Sequence, residues 1–349
     1  MSFFRDNIVG MEPYVPGEQP DELGGVVKLN TNENPYPPSP AVADVLRRFD
    51  CSSLRLYPDA MAKDFQQAAA EVLALPADWI IPGNGSDDLI IMIIRSALRA
   101  GRSVVYPTPT FPYYRTQGQV AGCDIIEVPT GQAEGFAIPI EALAKAAGDV
   151  TFLANPNSPT GAWVEPDRLD WLAGQLDGLL VIDEAYADFA QANALKLAAR
   201  RDNVIILRTL SKGYSLAGLR LGFGVARPGL RRELLKTKAI YNVGALPAAV
   251  GAAAIADQAY HRQCVEKILA QRERLGRELG ERHCTVWPGE GNFLMVSPPG
   301  GDSKNICQKL KARGVLVRYF NQDDMKDKLR ISVGSAEEVT AMLRAWDAR

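Results

Sequence analysis

Only two histidines, His261 and His283, occur in the 349 residues, and neither has a carboxylate or thiol at metal-ligand spacing beside it. Their scarcity argues against a zinc centre and against a histidine base, so any chemistry must use other groups. The five cysteines, Cys51, Cys123, Cys264, Cys284 and Cys307, are scattered without a paired framework, as expected of reduced thiols in a cytoplasmic protein. Charge of one sign is missing too: 39 Lys and Arg against 41 Asp and Glu leave a net charge of -2, which removes the electrostatic case for nucleic acid or an acidic membrane as partner. Long apolar runs are absent, since Leu89 to Ile94 is far shorter than a bilayer span and is closed by Arg95. The segment Met1 to Gly17 interrupts its apolar residues with Arg5, Asp6 and Glu12, unlike a signal peptide. No internal repeat or low-complexity tract is visible. What remains as a partner is a small molecule.

With 47% hydrophobic residues over this length, the chain can fill one large core and a smaller one. From about residue 80 to 225, short apolar runs alternate with helical patterns, which predicts an α/β domain with a mainly parallel sheet flanked by helices. The expected strands are Trp79 to Ile81, Val104 to Tyr106, Asp124 to Val128, Val150 to Leu153, Leu179 to Ile182, Val204 to Leu207 and Gly222 to Val225. After residue 226 the texture becomes helical. It then returns to mixed structure, with strands near Phe293 to Val296, Val315 to Val317 and Leu329 to Val333, which reads as a compact α+β domain. The expected division is a large domain over 40–245 and a small one from 1–39 and 246–349.

Four segments carry candidate chemistry. Gly83-Asn84-Gly85-Ser86-Asp87-Asp88 follows a strand and opens an apolar helix. Glycines let the backbone approach an anion, and free amides at a helix N-terminus attract it, although Ser and Asp also start helices without any ligand. A dinucleotide fingerprint would need glycine where Asp88 stands, so a dehydrogenase is set aside. Asn155-Pro156-Asn157-Ser158-Pro159-Thr160-Gly161 follows a second strand; turn chemistry alone accounts for its prolines and glycine. Val181-Ile182-Asp183-Glu184-Ala185-Tyr186 puts an acid at the C-terminal end of a buried strand, where open α/β sheets bind ligands. Asp183 could keep a pyridine nitrogen protonated, and Tyr186 could hydrogen-bond a ring oxygen. In Arg208-Thr209-Leu210-Ser211-Lys212-Gly213, with Arg220 eight residues beyond the lysine, Lys212 has the setting needed to hold a phosphorylated aldehyde such as pyridoxal phosphate by an imine. A solvated loop lysine is the plain alternative for that run alone. All four segments fall at one edge of one sheet.

Together with Leu29-Asn30-Thr31-Asn32-Glu33-Asn34-Pro35 and Leu329-Arg330-Ile331-Ser332-Val333-Gly334, these motifs resemble the fold-type I pyridoxal-phosphate enzymes of the aspartate aminotransferase superfamily. Within it the chain most resembles the histidinol-phosphate aminotransferase family, over Tyr14 to Val333. The resemblance implies that Lys212 carries the cofactor and, once released as a neutral amine, serves as general base. It implies that Asp183 faces the pyridine nitrogen, and that Tyr186 and an asparagine bind the ring oxygen. Gly85, Ser86, Asp87, Thr209, Ser211 and Arg220 would hold the cofactor phosphate, with Phe111 stacked on the ring. Tyr14, Asn32, Arg318 and Arg330 would line the substrate pocket, and Tyr57 would reach into the site of a second subunit of a homodimer. The chain departs from the family in having Ser158 where asparagine usually precedes Pro-Thr-Gly, and Asn157 is the residue expected to bond the ring oxygen instead. The implied reaction joins L-histidinol phosphate and 2-oxoglutarate, an amino donor and a 2-oxo acid. Its rivals are an aromatic-amino-acid aminotransferase, a threonine-phosphate decarboxylase and a non-catalytic pyridoxal-phosphate regulator. The regulator would need a basic DNA-binding module, for which the stretch before Asn30 is too short.

Overall fold

The computed structural model describes residues 3–12, 17–20, 24–131 and 135–348. Its strands, in chain order, are β1 (Val27–Leu29), β2 (Ile80–Gly83), β3 (Ser103–Thr108), β4 (Asp124–Pro129), β5 (Val150–Ala154), β6 (Leu179–Asp183), β7 (Val204–Thr209), β8 (Gly222–Val225), β9 (Thr285–Trp287), β10 (Phe293–Ser297), β11 (Val315–Tyr319) and β12 (Leu329–Ser332). Seven of them form one sheet in the order β2-β8-β7-β6-β5-β3-β4. Only β8 runs against its neighbours β2 and β7; the other pairings are parallel.

A parallel sheet must be covered on both faces, so its strands should be apolar on both sides. In β6 and β7 that is the case. Leu180, Ile182, Val204 and Ile206 enter the core on one face. Val181, Ile205 and Leu207 enter the core on the other. Alternation with period two sends successive side chains to opposite layers. The strand ends after β2, β3, β5, β6 and β7 therefore share one edge, and each is followed by a segment that supplies candidate site residues.

The second sheet has the order β1-β11-β12-β10-β9, with β1 parallel to β11 and the remaining pairs antiparallel. Helices Gln258–Glu281, Ser303–Ala312 and Ala336–Asp347 pack against it, the last opened by a capping box between Ser335 and Glu338. The strands β1 and β9 were not expected from the sequence, being three residues each with little alternation to read. β1 matters for the site, because its pairing with β11 delivers the chain from Asn30 onward into the cleft between the sheets. The helix Ala245–Ala256 places Val250, Ala254 and Ile255 in the larger core, and the next helix begins at Gln258. Among the described residues no helix is long and apolar enough to cross a membrane.

Ile206 is fully buried at the centre of the larger sheet. Ile206→Ala is expected to lower stability by about 2–5 kcal/mol through lost burial and an unfilled cavity. Chemical denaturation checks it, and an unchanged midpoint would contradict this packing.

Candidate active site

The edge holds two joined cavities. The inner one, about 220 Å³, is lined by Ser86, Asp87, Phe111, Asp183, Tyr186, Thr209, Ser211, Lys212 and Arg220, among others. The outer one, about 350 Å³, extends to Asn30, Asn32, Arg318, Phe320 and Arg330 in the smaller sheet and its approach. Thr31, Phe111, Ser158, Tyr186 and Lys212 line both. The lysine thus stands at the junction.

Three chemical features converge on the inner cavity. The first is an anion cradle. Helix Ser86–Ala97 begins behind Gly85, whose φ of 79° is in the left-handed region and whose added Cβ would lie 2.7 Å from Arg220 Nη2, so only glycine lets the guanidinium approach the helix start. Arg220 donates to Ser211 Oγ at 3.3 Å and to Asp87 Oδ2 at 3.3 Å. Thr209 Oγ1 donates to Ser211 Oγ at 3.0 Å, so two hydroxyls face the same space. Asp88, in contrast, caps the loop: it accepts from the Asn84 amide at 3.0 Å and from Asn242 Nδ2 at 2.7 Å. Burial raises the Asp87 carboxyl above its ordinary range, with Arg220 and Lys212 opposing the shift.

The second feature is an acid. Asp183 ends β6, and its buried carboxylate accepts from Tyr114 Oη at 2.7 Å and from the Ala185 amide at 3.1 Å. Burial pushes its pKa up to about 6, against the pull of those two donors. Tyr114 stacks on Phe152 with centroids 4.7 Å apart, which fixes the phenol against the acid. Nothing in the sequence marked Tyr114, because an aromatic on a helix reads as core.

The third feature is the amine with its polar surround. Lys212 Nζ donates to Thr31 O at 3.1 Å and lies 5.7 Å from the Tyr186 ring centroid. Tyr186 Oη accepts from Asn32 Nδ2 at 3.0 Å. Burial alone would raise this phenol, but Lys212, Arg330 and the donors Asn32 and Ser158 bring it below its ordinary value. Asn34 Nδ2 donates to the carbonyls of Lys212 and Gly213, both at 3.1 Å, and ties the lysine loop to the N-terminal segment. Glu33, also passed over in the sequence, lines the inner cavity in contact with Lys28.

In the outer cavity Arg318 and Arg330 are paired across β11 and β12. Directly opposed residues on antiparallel strands present their side chains on the same face. Arg330 donates to Ser158 Oγ at 2.9 Å and to Asn30 O at 2.9 Å, and lies over Phe293 and Phe320.

The expectation for Asn157 needs correction. Its side chain is fully buried and bonded to the loop after β3 and to its own turn: it accepts from Thr110 Oγ1 at 2.6 Å and donates to Pro109 O at 2.9 Å and Thr160 Oγ1 at 2.8 Å. Ser158 faces both cavities instead. Tyr57 lines neither cavity; it is 82% exposed and stacked on Tyr241, with centroids 4.5 Å apart. Tyr14 lies outside the described residues.

The chain has clear relatives. The Aminotransferase class I and II family profile matches residues 24–345. Over 344 residues it is 49% identical to histidinol-phosphate aminotransferase 1 of Trichormus variabilis, covering 99% of this chain and 98% of that one. The histidinol-phosphate aminotransferase of Citrifermentans bemidjiense is 41% identical over 345 residues, again covering 99% and 98%. Among solved structures, that of the histidinol-phosphate aminotransferase from Sinorhizobium meliloti in complex with pyridoxal-5'-phosphate matches with a TM-score of 0.90 at 27% identity, over 99% of this chain and 97% of that one.

Tyr114→Phe removes a donor that stabilises the Asp183 carboxylate, so the acid should titrate above about 6 in the cofactor-free variant. A carboxyl raised above its unfolded value of roughly 4 binds more protons in the folded state, so its contribution to stability falls as pH rises between these values. The variant should extend that fall to higher pH, as carbon NMR of the carboxyl and denaturation at several pH values will test.

Proposed function

Because the chain belongs to the class I and II aminotransferases, and within them to the histidinol-phosphate aminotransferase family, we propose that it moves an amino group from L-histidinol phosphate to 2-oxoglutarate, yielding imidazole-acetol phosphate and L-glutamate. The observation that carries this reading is the position of Lys212 between an anion cradle with a buried acid and a pair of arginines.

The inner cavity fits pyridoxal 5'-phosphate. Close approach of Arg220 at Gly85, the two hydroxyls and the helix start suit a phosphate; the buried Asp183 suits a protonated ring nitrogen. When bound, this cofactor supplies an electron sink for negative charge at the substrate carbon. Ser86, Asp87, Thr209, Ser211 and Arg220 would hold its phosphate, Phe111 would cover the ring, and Tyr186 would bond the ring oxygen. Asp183 would keep a proton on the ring nitrogen, and its burial strengthens that pairing. Lys212 would attach the cofactor and, when displaced by the substrate amine, use Nζ to take the proton from the substrate carbon and return it. Arg330, positioned by Ser158 and Asn30, would bind the anionic end of each substrate in turn. Arg318 beside it adds the second charge that a phosphate dianion requires and that a lone carboxylate does not, which favours histidinol phosphate over an aromatic amino acid. Asn32 would orient Tyr186 and border the substrate. A decarboxylase of a phosphorylated amine would use the same pocket, and release of carbon dioxide separates it.

The site is also proposed to be shared between two copies of the chain. Tyr57 is exposed, stacks on Tyr241 and has the exposed apolar Leu54, Leu56 and Ile240 nearby in sequence, as suits an interface. Five unpaired cysteines fit a reducing compartment, and the cytoplasm is the proposed location.

Lys212→Ala is expected to lose the absorbance of the attached cofactor and nearly all glutamate formation; activity like that of the wild type would remove the mechanism. Arg330→Ala should raise KM for both substrates by about 10- to 100-fold, the worth of a charge-assisted hydrogen bond. Arg318→Ala should act more on histidinol phosphate than on phenylalanine, and equal effects would remove the phosphate assignment. Mixing Tyr57→Ala and Lys212→Ala chains should restore turnover lost in each; no complementation would argue that each copy works alone.

A further inference from the structure

Behind the lysine, on the side away from both cavities, lies a buried ionic chain that the proposed mechanism does not use. Arg208 Nε donates to Glu184 Oε2 at 2.8 Å, and its Nη1 donates to Asp188 Oδ1 at 3.4 Å. Asp188 Oδ2 in turn stands 3.6 Å from Nε2 of His261. All four side chains are nearly or fully buried. The His261 ring stacks on Tyr214 with centroids 4.1 Å apart, and Tyr214 Oη accepts from Gln258 Nε2 at 3.0 Å. Burial raises the Asp188 carboxyl, yet His261 and Arg208 together hold it below its ordinary value.

The pair presses on one point of the chain. A Cβ added to Gly213 would lie 2.2 Å from Asp188 Oδ2 and 2.7 Å from His261 Nε2, so the carboxylate and imidazole occupy the space beside the backbone that follows Lys212. Asn34 in addition holds the carbonyls of Lys212 and Gly213. His261 belongs to the first turn of Gln258–Glu281, the helix that leads from the larger core to the smaller sheet. A loop held by both sets of contacts has little freedom, and a reacting amine displaced by about 1 Å loses rate steeply.

We propose that the Asp188–His261 pair is a positioning brace for Lys212, setting the amine through Gly213 and tying it to the start of the helix that carries the smaller domain. The brace rests on the reading of Lys212 as the reacting amine, but its geometry can be tested apart from it. In the cofactor-loaded enzyme, His261→Ala is expected to lower kcat about 10- to 100-fold, with KM for both substrates within about twofold, the scale of a small misplacement. It should also alter the visible circular dichroism of the bound cofactor. His261→Gln, which keeps a polar side chain beside Asp188, should recover much of both. Gly213→Ala, which forces a methyl into the same space, should reproduce the spectral change. A folded His261→Ala with unaltered dichroism and kcat overturns the brace. So does a cofactor-free crystal structure of His261→Ala or His261→Gln in which loop 212–214 and the Lys212 contact to Thr31 are lost in neither, or lost in both alike. Absence of cofactor binding in the wild type would instead strike at the functional reading, and that structure would still decide the brace.

Discussion

A carboxylate buried at the end of a central strand constrains everything around it. Asp183 has been taken out of water where charge is expensive, and two donors, Tyr114 Oη and the Ala185 amide, compensate only part of that cost, which leaves its pKa near 6. A cationic ring nitrogen in the adjoining cavity would complete the compensation. The stacking of Tyr114 on Phe152 and the full burial of β5 and β6 give the acid a rigid seat. Rigidity here has a chemical use, since groups set before the reaction need not reorganise during it.

The smaller sheet contributes the other half of the site through two routes. One is β12, which carries Arg330 beside Arg318 of β11; the other is β1, whose pairing with β11 leads Asn30, Thr31 and Asn32 across the cleft. Asn32 is buried, accepts from Ser332 Oγ on β12 and donates to Tyr186 on the larger domain. The outer and inner cavities are therefore joined by hydrogen bonds between groups that are distant in sequence. In the proposed reading, selectivity for a phosphate would follow from charge rather than shape, because two guanidiniums on one face match a dianion better than a single carboxylate.

Much of this was legible in the sequence, and for identifiable reasons. The strands β3, β5, β6, β7 and β8 have enough buried apolar residues to be read by pattern, and the helix starts at Pro166 and Ala336 carry ordinary N-terminal signals. Lys212, Asp183 and Arg220 lie in short segments whose glycines, hydroxyls and charges together suit a bound anion better than a plain turn. What failed to appear was set by tertiary contact. Tyr114 owes its role to a partner 69 residues away in sequence, and β1 has only three residues, stabilised by a strand almost three hundred positions later. Asn157 points away from the cavity because its side chain bonds the loop after β3 and its own turn, contacts that sequence does not show, and the smaller Ser158 is left facing the cavity.

The succession Asp183-Glu184 shows how one strand end can serve two charge networks at once. Side chains alternate across a sheet, so consecutive acids point to opposite faces. Asp183 meets Tyr114 and the ligand cavity, whereas Glu184 meets Arg208 and the Ala194 amide. Burial raises both carboxyls, and Arg208 opposes that rise at Glu184 in the way a ligand would oppose it at Asp183. A buried ion pair seldom adds net stability over a well-packed apolar pair, so the consequence of the Arg208 network lies in the groups it orders. Its far end is the Gly213 backbone, one residue from Lys212. The two networks thus lie at one sheet edge, Asp183 in the one and the backbone after Lys212 beside the other, so packing around both sets where the acid and the lysine loop stand.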